Sequence, residues 1–353
     1  MRSSRPASLA IFTVLFAGII LALPSGSAAP DEHIVVVEAD PRPSQVHKLK
    51  FIDSFPKEAD EAKGIYFAQA QRLSADRQGR MCITDQRTCQ IFVFDGDGHF
   101  LQRVGLCGQG PGEFNMPGRA FLTNGRLAVL DVGNARIQYF DEKGIYESSF
   151  RLAKNYNDMF VGDDGTIYAM TIGRWSEDLI DALSPEGEKR FSFARAPEAS
   201  KGGSIRNRLL LSISPDNEIF AAHWFAPIVQ VFSARGELKT TFEIRYKPMQ
   251  DKLARNASLR NKVQPGGGRN IGQSLIEAIW ATASGFFILH QGAPGRTDIL
   301  EFRRDGTFVK DLVAPASEGT YSAALAIRED QGNRRFYVLQ GGAENRVDIL
   351  SEK

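Results

Sequence analysis

Four side chains that could bind a metal ion end short apolar runs in the sequence. Asp85 ends "MCITD" and Asp131 ends "RLAVLD", while His223 ends "IFAAH" and His290 ends "FFILH". Neutral imidazole and carboxylate groups are common zinc ligands, and carboxylates also bind calcium. An aspartate at such a position often accepts hydrogen bonds from its own loop instead. The four residues are therefore candidate ligands of a divalent metal, Zn or Ca, or loop anchors, and no cofactor is firmly implied.

A second candidate site is aromatic. Arg174 and Trp175 lie in "TIGRWSED", and Trp224 and Phe225 directly follow His223 in "HWFAP". Aromatic and arginine side chains grouped on one face are typical of a contact surface. The alternative is that these rings fold back over the strands beside them. We predict Arg174, Trp175, Trp224 and Phe225 as binding residues.

The glycine-rich run "GQGPGEF" at 108–114 is a third place where chemistry could occur, because such runs can cradle phosphate groups. A nucleotide loop needs Lys-Ser/Thr after the glycines, or Gly-x-Gly-x-x-Gly before a helix. Here the third glycine of the latter motif would be Glu113, and another strand follows. The run is therefore predicted to be a turn between two strand units.

Short strands must position all of these residues, and they occur as a repeat. "GRMCITDQRTCQIFVFDGDGHF" at 79–100 aligns with "GRLAVLDVGNARIQYFDEKGIY" at 125–146, and four weaker copies follow. Each copy has another strand before it, so the unit has four antiparallel strands. Six such units predict an all-β, six-bladed β-propeller.

The strand-like stretch "VHKLKFIDSFP" at 46–56 precedes the first copy, and the sixth copy lacks an outermost strand before Lys353. We expect this N-terminal strand to close the ring. The innermost strands are predicted to start, from blade one to blade six, near Gln69, Gly118, Asp158, Arg208, Glu277 and Ser322.

The phrases "ITDQRTCQIFVFDGDGHFLQRVG" and "VLDVGNARIQYFDEKG" resemble NHL repeats, and "GQGPGEF" resembles the linker between blades of bacterial six-bladed propellers of that type. The resemblance is strong over 70–150 and weaker over 158–240 and 275–353. The resemblance implies that the protein is either a scaffold or an enzyme. Related lyases hold zinc with three histidines from different blades, whereas only His223 and His290 stand at the matching register here. Gluconolactonase-like and paraoxonase-like relatives hold calcium with Asn, Asp and Glu, for which Asp158 and Glu277 with Arg208 between them are a poor set.

The first residues have the pattern of a secretory signal peptide: the basic "MRSSRP", an apolar run to Leu23 and the small residues "SGSAAP". The alternative is an uncleaved transmembrane anchor, but the apolar run Leu9–Leu23 is shorter than the span of about 20 residues that a membrane helix needs. Cleavage is therefore expected after Ala28 or Ala29. We predict a signal peptide over 1–29, a flexible segment over 30–45 and a single propeller over 46–353. A long basic connection between blades covers 247–273, with a short helix near 249–261.

Export to the periplasm or the cell exterior implies an oxidising compartment for Cys82, Cys89 and Cys107. In the predicted hairpin Cys82 and Cys89 are about 10 Å apart, beyond disulfide reach. Cys89 and Cys107 lie at the same end of adjacent antiparallel strands. We therefore predict the disulfide Cys89–Cys107 and a reduced, buried Cys82.

The sequence favours a binding module over an enzyme. There are 43 Lys and Arg against 42 Asp and Glu in 353 residues, a net charge of +1, so no electrostatic footprint for nucleic acid exists. No segment of the mature chain could span a membrane. We expect a monomer that binds a protein, peptide or carbohydrate partner on its loop face. The alternative is a metal-dependent lyase or hydrolase with its site at the mouth of the central channel.

Overall fold

The computed structural model describes residues 34–172, 177–195, 208–259, 272–292, 295–317, 319–330 and 332–352. Three short strands come first: β1 (Ile34–Glu38), β2 (Val46–Lys48) and β3 (Lys50–Phe55). A 3-10 turn at Pro43–Gln45 separates the first two, and a short helix α1 (Glu58–Glu61) follows the third. These strands form no sheet of their own, because each joins a sheet built by a later part of the chain.

The next strands form three four-stranded antiparallel sheets in chain order. Blade one contains β4 (Ala70–Ala75), β5 (Met81–Asp85), β6 (Gln90–Phe94) and β7 (Phe100–Val104). After β8 (Leu106–Cys107) and β9 (Glu113–Phe114), blade two contains β10 (Pro117–Thr123), β11 (Arg126–Asp131), β12 (Arg136–Asp141) and β13 (Tyr146–Arg151), with a 3-10 turn at Val132–Asn134. Blade three contains β14 (Asp158–Val161), β15 (Ile167–Met170), β16 (Asp178–Leu183) and β17 (Lys189–Arg195).

Blades four to six complete the ring. Blade four contains β18 (Leu209–Ile213), β19 (Ile219–His223), β20 (Ile228–Phe232) and β21 (Leu238–Arg245), and the helix α2 (Lys247–Leu259) follows it. Blade five contains β22 (Ala278–Ala281), β23 (Gly285–Gln291), β24 (Arg296–Arg303) and β25 (Phe308–Pro315). Blade six contains β26 (Thr320–Asp330), β27 (Asn333–Gly342) and β28 (Arg346–Ser351). The predicted six-bladed, all-β propeller is confirmed.

The N-terminal strands close the ring and cover two blade edges. β3 pairs antiparallel with β28 and so supplies the fourth strand of blade six, as the sequence predicts. The single strand predicted at 46–56 is divided into two, however. β2 pairs parallel with β25 of blade five, β3 pairs with blade six, and Leu49 between them is buried between these two blades.

The predicted flexible segment, 30–45, differs from the structure over its described part. β1 lies parallel to β21 as a fifth strand of blade four. Val37 is buried and Val35 packs beside it against the core of blades four and five, whereas Ile34 and Val36 are exposed. This alternation gives the strand one apolar face, and pairing covers an edge that would otherwise be open.

Apolar side chains between neighbouring blades form the core. Between blades six and one, Phe55 packs on Phe94 with ring centroids 4.6 Å apart. The turn after β6 presses directly on this contact: Gly98 has φ +82°, and a Cβ built there would lie 2.8 Å from Phe55. Glycine is therefore required at position 98 both by the backbone conformation and by the close approach.

The glycine-rich run is the crossing from blade one to blade two. β8 and β9 pair in parallel at its two ends, and the backbone N–H of Glu113 donates to the carbonyl of Gly110 at 3.1 Å. The Glu113 carboxylate accepts the backbone N–H groups of Gln109 at 2.9 Å and Gly110 at 2.8 Å. These donors are therefore satisfied within the run itself, as in an ordinary turn.

Cys89 and Cys107 are joined at the start of this crossing, with their Cα atoms 5.1 Å apart. Cys82 is free and buried. Burial is also the main reason why the pKa of the Cys82 thiol rises to about 12, so this side chain behaves as a small core residue. No helix in the described parts of the chain is long and apolar enough to cross a membrane.

Candidate functional site

One end of each blade brings together the end of its second strand and the start of its first. Ala70 pairs with Asp85, Pro117 with Asp131, and Leu209 with His223. We call this side of the ring the loop face. The first strands, β4, β10, β14, β18, β22 and β26, line the central channel.

Asp85 is fully buried and serves its own loops. Its carboxylate accepts the backbone N–H groups of Ala68 and Gln69, both at 2.6 Å, and of Thr88 at 2.9 Å. It thus connects the entry to β4 with the hairpin between β5 and β6. These bonds occupy the oxygens that a metal would need.

Asp131 has the same position in blade two and a similar environment. It accepts the backbone N–H of Asn115 at 2.8 Å, and the Arg136 guanidinium and the Asn134 amide, each at 2.8 Å. Its carboxylate is fully buried among these donors. The geometry therefore favours a loop-anchoring role for both aspartates.

The two predicted histidine ligands are buried in separate blades. His223 Nε2 donates to Gln230 Oε1 at 3.0 Å, and His290 Nδ1 donates to the Leu275 carbonyl at 2.7 Å, because each acceptor is an oxygen. Burial lowers the pKa of each ring to about 4, so both are neutral at neutral pH.

The second nitrogen of each ring, His223 Nδ1 and His290 Nε2, is buried with no hydrogen-bond partner among the described residues. Within that same part of the chain, no group of three or more His, Cys, Asp and Glu side chains could hold a metal ion. His223, His290, Asp85 and Asp131 therefore remain predictions as metal ligands, and their hydrogen bonds favour structural roles.

Half of the predicted aromatic surface is described, since Arg174 and Trp175 lie outside the described residues. Trp224 and Phe225 are half-buried, with ring centroids 5.0 Å apart. The Trp224 indole N–H donates to Glu277 Oε2 at 3.2 Å, and the Arg208 guanidinium lies 4.1 Å from the Trp224 ring. These contacts hold Trp224 at the loop-face end of the channel.

Trp224 borders a cavity of about 270 Å³ inside the channel. All six first strands contribute to its lining. Its loop-face end is charged: the charged residues among its described lining are Arg72, Arg119, Arg208 and Glu277, and Asp158 lies directly behind the arginines.

Asp158 organises two of these arginines. Arg119 donates to it from Nε at 3.1 Å and from Nη2 at 3.0 Å, a bidentate pair. Arg72 Nε lies 3.2 Å from the same carboxylate, outside hydrogen-bond geometry. Burial opposes ionisation of Asp158, but the charges of Arg119 and Arg72 outweigh it and lower the pKa to about 2.

Arg208 is the third arginine and is bound less completely. Its Nε is buried without a hydrogen-bond partner in the described part of the chain. Burial first, and then the charge of Arg72, lower its pKa to about 10, so the group stays charged at neutral pH. Its guanidinium lies over the face of Trp224, a cation–π contact.

An apolar belt lies below the charged end. The rings of Phe121 and Phe160 are 4.6 Å apart, and with Trp280 they line both this cavity and a second one of about 640 Å³. The second cavity opens among the turns between first and second strands, such as Asp76–Arg80, on the opposite face. The belt therefore separates two chambers of the channel.

The sequence placed some channel residues and missed others. Asp158, Arg208 and Glu277 were predicted at the starts of first strands and lie there, but Arg72 and Arg119 were not singled out. The pairing register shifts between Ala70 and Arg72 and between Pro117 and Ala120. Such a bulge inserts a residue and changes which side chains face the channel, which strand counting does not detect.

A family model described as a 6-bladed beta-propeller, DUF5128, matches residues 68–181. This segment includes residues 70–150, over which the sequence strongly resembles NHL repeats. No curated protein matches the chain.

Solved structures match over most of the chain. A Bacteroides fragilis protein, provisionally named as exported, is 12% identical with a TM-score of 0.59, covering 91% of this chain and 99% of its own. Virginiamycin B lyase from Staphylococcus aureus is 12% identical with a TM-score of 0.51, covering 86% of this chain and 99% of its own. Regucalcin from Agrobacterium tumefaciens, a calcium-binding protein, is 13% identical with a TM-score of 0.51, covering 87% and 96%. At this identity the similarities show the fold alone, and they identify the chain as a six-bladed β-propeller.

Proposed function

We propose that this chain is an exported binding module that holds a protein, peptide or glycan partner on its loop face. The observation that carries the proposal is the position of Trp224, which is fixed by Glu277 and Arg208 at the mouth of the channel with Phe225 against it. A half-buried tryptophan beside arginine at the rim of a cavity is a typical anchor for a partner. Arg174 and Trp175 belong to the same proposed surface.

Export is supported by the signal-peptide pattern, by the disulfide Cys89–Cys107 and by the similarity to a protein named as exported. The test is expression of the full chain in a Gram-negative host, followed by N-terminal sequencing of the protein from each fraction. A mature chain that begins at Ala29 or Pro30 in the periplasm or medium supports the proposal. An uncleaved chain confined to the cytoplasm contradicts it.

Partner binding is tested with the purified mature chain on peptide and glycan arrays, and hits are measured again in solution. We expect Trp224→Ala to weaken each true hit by more than tenfold, since truncating an anchor aromatic costs at least about 2 kcal/mol. The matched control is Ile145→Ala. Ile145 is 62% exposed and lies in the turn after β12, on the opposite face.

The two variants separate the outcomes. Loss of binding in Trp224→Ala alone supports a partner surface at the channel mouth. Equal binding by Trp224→Ala and the wild-type chain means that the partner, if one is found, contacts another surface, and the proposed site is then wrong.

A further inference from the structure

We infer that the loop-face chamber of the channel is a binding site for a small carboxylic acid: the carboxylate lies at Arg208, Arg72 and Arg119, and an apolar body lies against Phe121 and Phe160. This inference goes beyond the proposed partner surface, because the ligand enters the cavity and needs no macromolecule. It rests on charge balance, on unsatisfied donors and on the layered lining of the cavity.

The charged end of the chamber has an excess of positive groups. Three guanidinium groups face two carboxylates, Asp158 and Glu277. Glu277 is already engaged, since it accepts the Trp224 indole N–H at 3.2 Å and a hydrogen bond from Ser274 Oγ. One positive charge is thus left uncompensated among the described residues that line the chamber, which favours a single negative charge in the ligand.

Asp158 forms no hydrogen bond with Arg208, because Arg119 and the Met159 backbone take three of its acceptor positions and Arg72 lies against the fourth. Its Oδ1 accepts Arg119 Nε and the backbone N–H of Met159 at 2.9 Å, and its Oδ2 faces Arg119 Nη2 and Arg72 Nε. A carboxylate offers about four such positions. A buried guanidinium with an unpaired donor is costly, so an incoming carboxylate that pairs with Arg208 recovers free energy that the protein alone does not.

The side chains one layer deeper in the channel are apolar, and strand geometry explains why they face the cavity. Residues two apart on a strand point to the same side, so the residues below the charged ones also face the channel. Arg119 with Phe121 and Arg208 with Leu210 line the cavity as such charged and apolar pairs, and between them Phe160 lines it two residues after the buried Asp158. A ligand with a charged head and an apolar body matches both layers.

The size and charge of the chamber narrow the ligand further. A volume of about 270 Å³ equals the share of about nine liquid waters, enough for a compact aryl or branched alkyl acid. A phosphate dianion fits less well, because Glu277 lies on the same lining and the net excess is one charge. A planar carboxylate also matches the fork of a guanidinium in a bidentate pair.

The test measures binding of phenylacetate to the mature protein by titration calorimetry at constant ionic strength. A ligand of this size is expected to bind with a dissociation constant on the order of 1 mM. Phenylacetamide, which has nearly the same shape without the charge, and inorganic phosphate should each bind at least tenfold more weakly. Equal binding of acid and amide, or no saturation by phenylacetate at about 10 mM, would overturn the inference.

Three variants locate the site. Arg208→Gln should weaken phenylacetate binding at least tenfold, whereas Arg126→Gln should leave it unchanged, since Arg126 begins β11 at the face opposite the loop face and pairs with Glu147 of the outermost strand, β13. Arg208→Lys keeps a charge and should retain intermediate affinity, which distinguishes a lost charge from a lost fold. Wild-type affinity in Arg208→Gln would refute the assignment. Because the probe is small and no partner is present, failure here leaves the proposed partner surface standing, and failure of partner binding leaves this site standing.

Discussion

The buried carboxylate of Asp158 is predicted to be the main electrostatic support of the channel mouth, and Asp158→Asn tests this directly. Asparagine has almost the same shape, so packing is preserved while the negative charge is lost. Arg119 and Arg72 then face each other, and Arg208, without a counter-ion between them. The variant should fold but be clearly less stable than the wild-type protein.

The magnitude follows from two independent estimates. The pKa of Asp158 falls from 3.8 to about 2, and at about 1.4 kcal/mol per unit this corresponds to a contribution on the order of 2–3 kcal/mol. Removing one partner of a buried ion pair typically costs about 3–5 kcal/mol. A loss of about 3 kcal/mol in the free energy of unfolding agrees with both estimates. With an unfolding entropy of about 2 cal/mol/K per residue over the propeller, this lowers Tm by about 5 °C.

The assay is denaturant unfolding of wild-type and variant proteins at pH 7 and pH 5. Because the pKa of Asp158 is depressed in the folded state, its contribution is complete above pH 3.8 and is lost only as the pH falls towards 2. The difference between the two proteins should therefore be equal at pH 7 and pH 5. Asp163→Asn is the control: Asp163 pairs with Arg77 on the surface, and its loss should cost less than about 1 kcal/mol.

A double-mutant cycle with Arg119→Gln then separates the ion pair from other effects. In the Asp158→Asn background, removing Arg119 relieves repulsion, so the two losses should be less than additive by about 1–3 kcal/mol. If Asp158→Asn alone lies within about 0.5 kcal/mol of the wild-type protein, the charge is not supporting the mouth and the reasoning is refuted.

Three further predictions concern titration and the disulfide. His223→Gln should make the stability of the protein less sensitive to acid. The wild-type ring has a pKa of about 4 in the folded protein, so the free energy of unfolding falls by up to about 3 kcal/mol as the pH drops below 6.5. Measurements of Tm between pH 7 and pH 4 test this prediction. Asp311→Asn should act in the opposite direction, because burial and the charge of Asp298 raise the pKa of Asp311 to about 7. The contribution of Asp311 to the free energy of unfolding therefore falls as the pH rises from 3.8 through 7, and the variant should become more stable relative to the wild-type protein over that range. Replacing both Cys89 and Cys107 by serine should lower the free energy of unfolding by about 3 kcal/mol, because the disulfide closes a loop with a sequence separation of 18. Wild-type protein under reducing conditions should be as stable as the variant. A wild-type stability that does not depend on reductant would contradict the prediction.

The sequence predicts the blades well because the hairpin repeat carries two signals at once. The turn "DGDG" needs a glycine with positive φ at Gly98, and the strand before it must be apolar where it faces a neighbouring blade, as Phe94 does. Both requirements are local, so they are visible in the residues themselves. The disulfide prediction rests on the same strand map, because it places Cys89 and Cys107 at one end of neighbouring strands.

The N-terminal strands are harder to predict because their partners are distant in sequence. β1 pairs with β21, and the Lys247 backbone N–H donates to Asp40 across 207 positions. The four residues "IVVV" at 34–37 are too few for periodicity to distinguish a strand from a linker. The segment forms a strand because it covers the open edge of blade four, and that edge exists only once the propeller has folded.

The residues of the candidate site show a similar division, and it follows from the position of each strand in its blade. The end of a second strand, where Asp85 and His223 lie, is next to the first strand and to its own loop, so the Asp85 carboxylate and one ring nitrogen of His223 form hydrogen bonds within their own blades. The start of a first strand has a blade on one side and the channel on the other. Side chains at that position, such as Arg119 and Arg208, meet side chains from other blades in a shared space, and a ligand in the channel contacts these side chains first. The first strands therefore supply most of the side chains that line the candidate site, and the bulges that set their register decide which charges reach the channel.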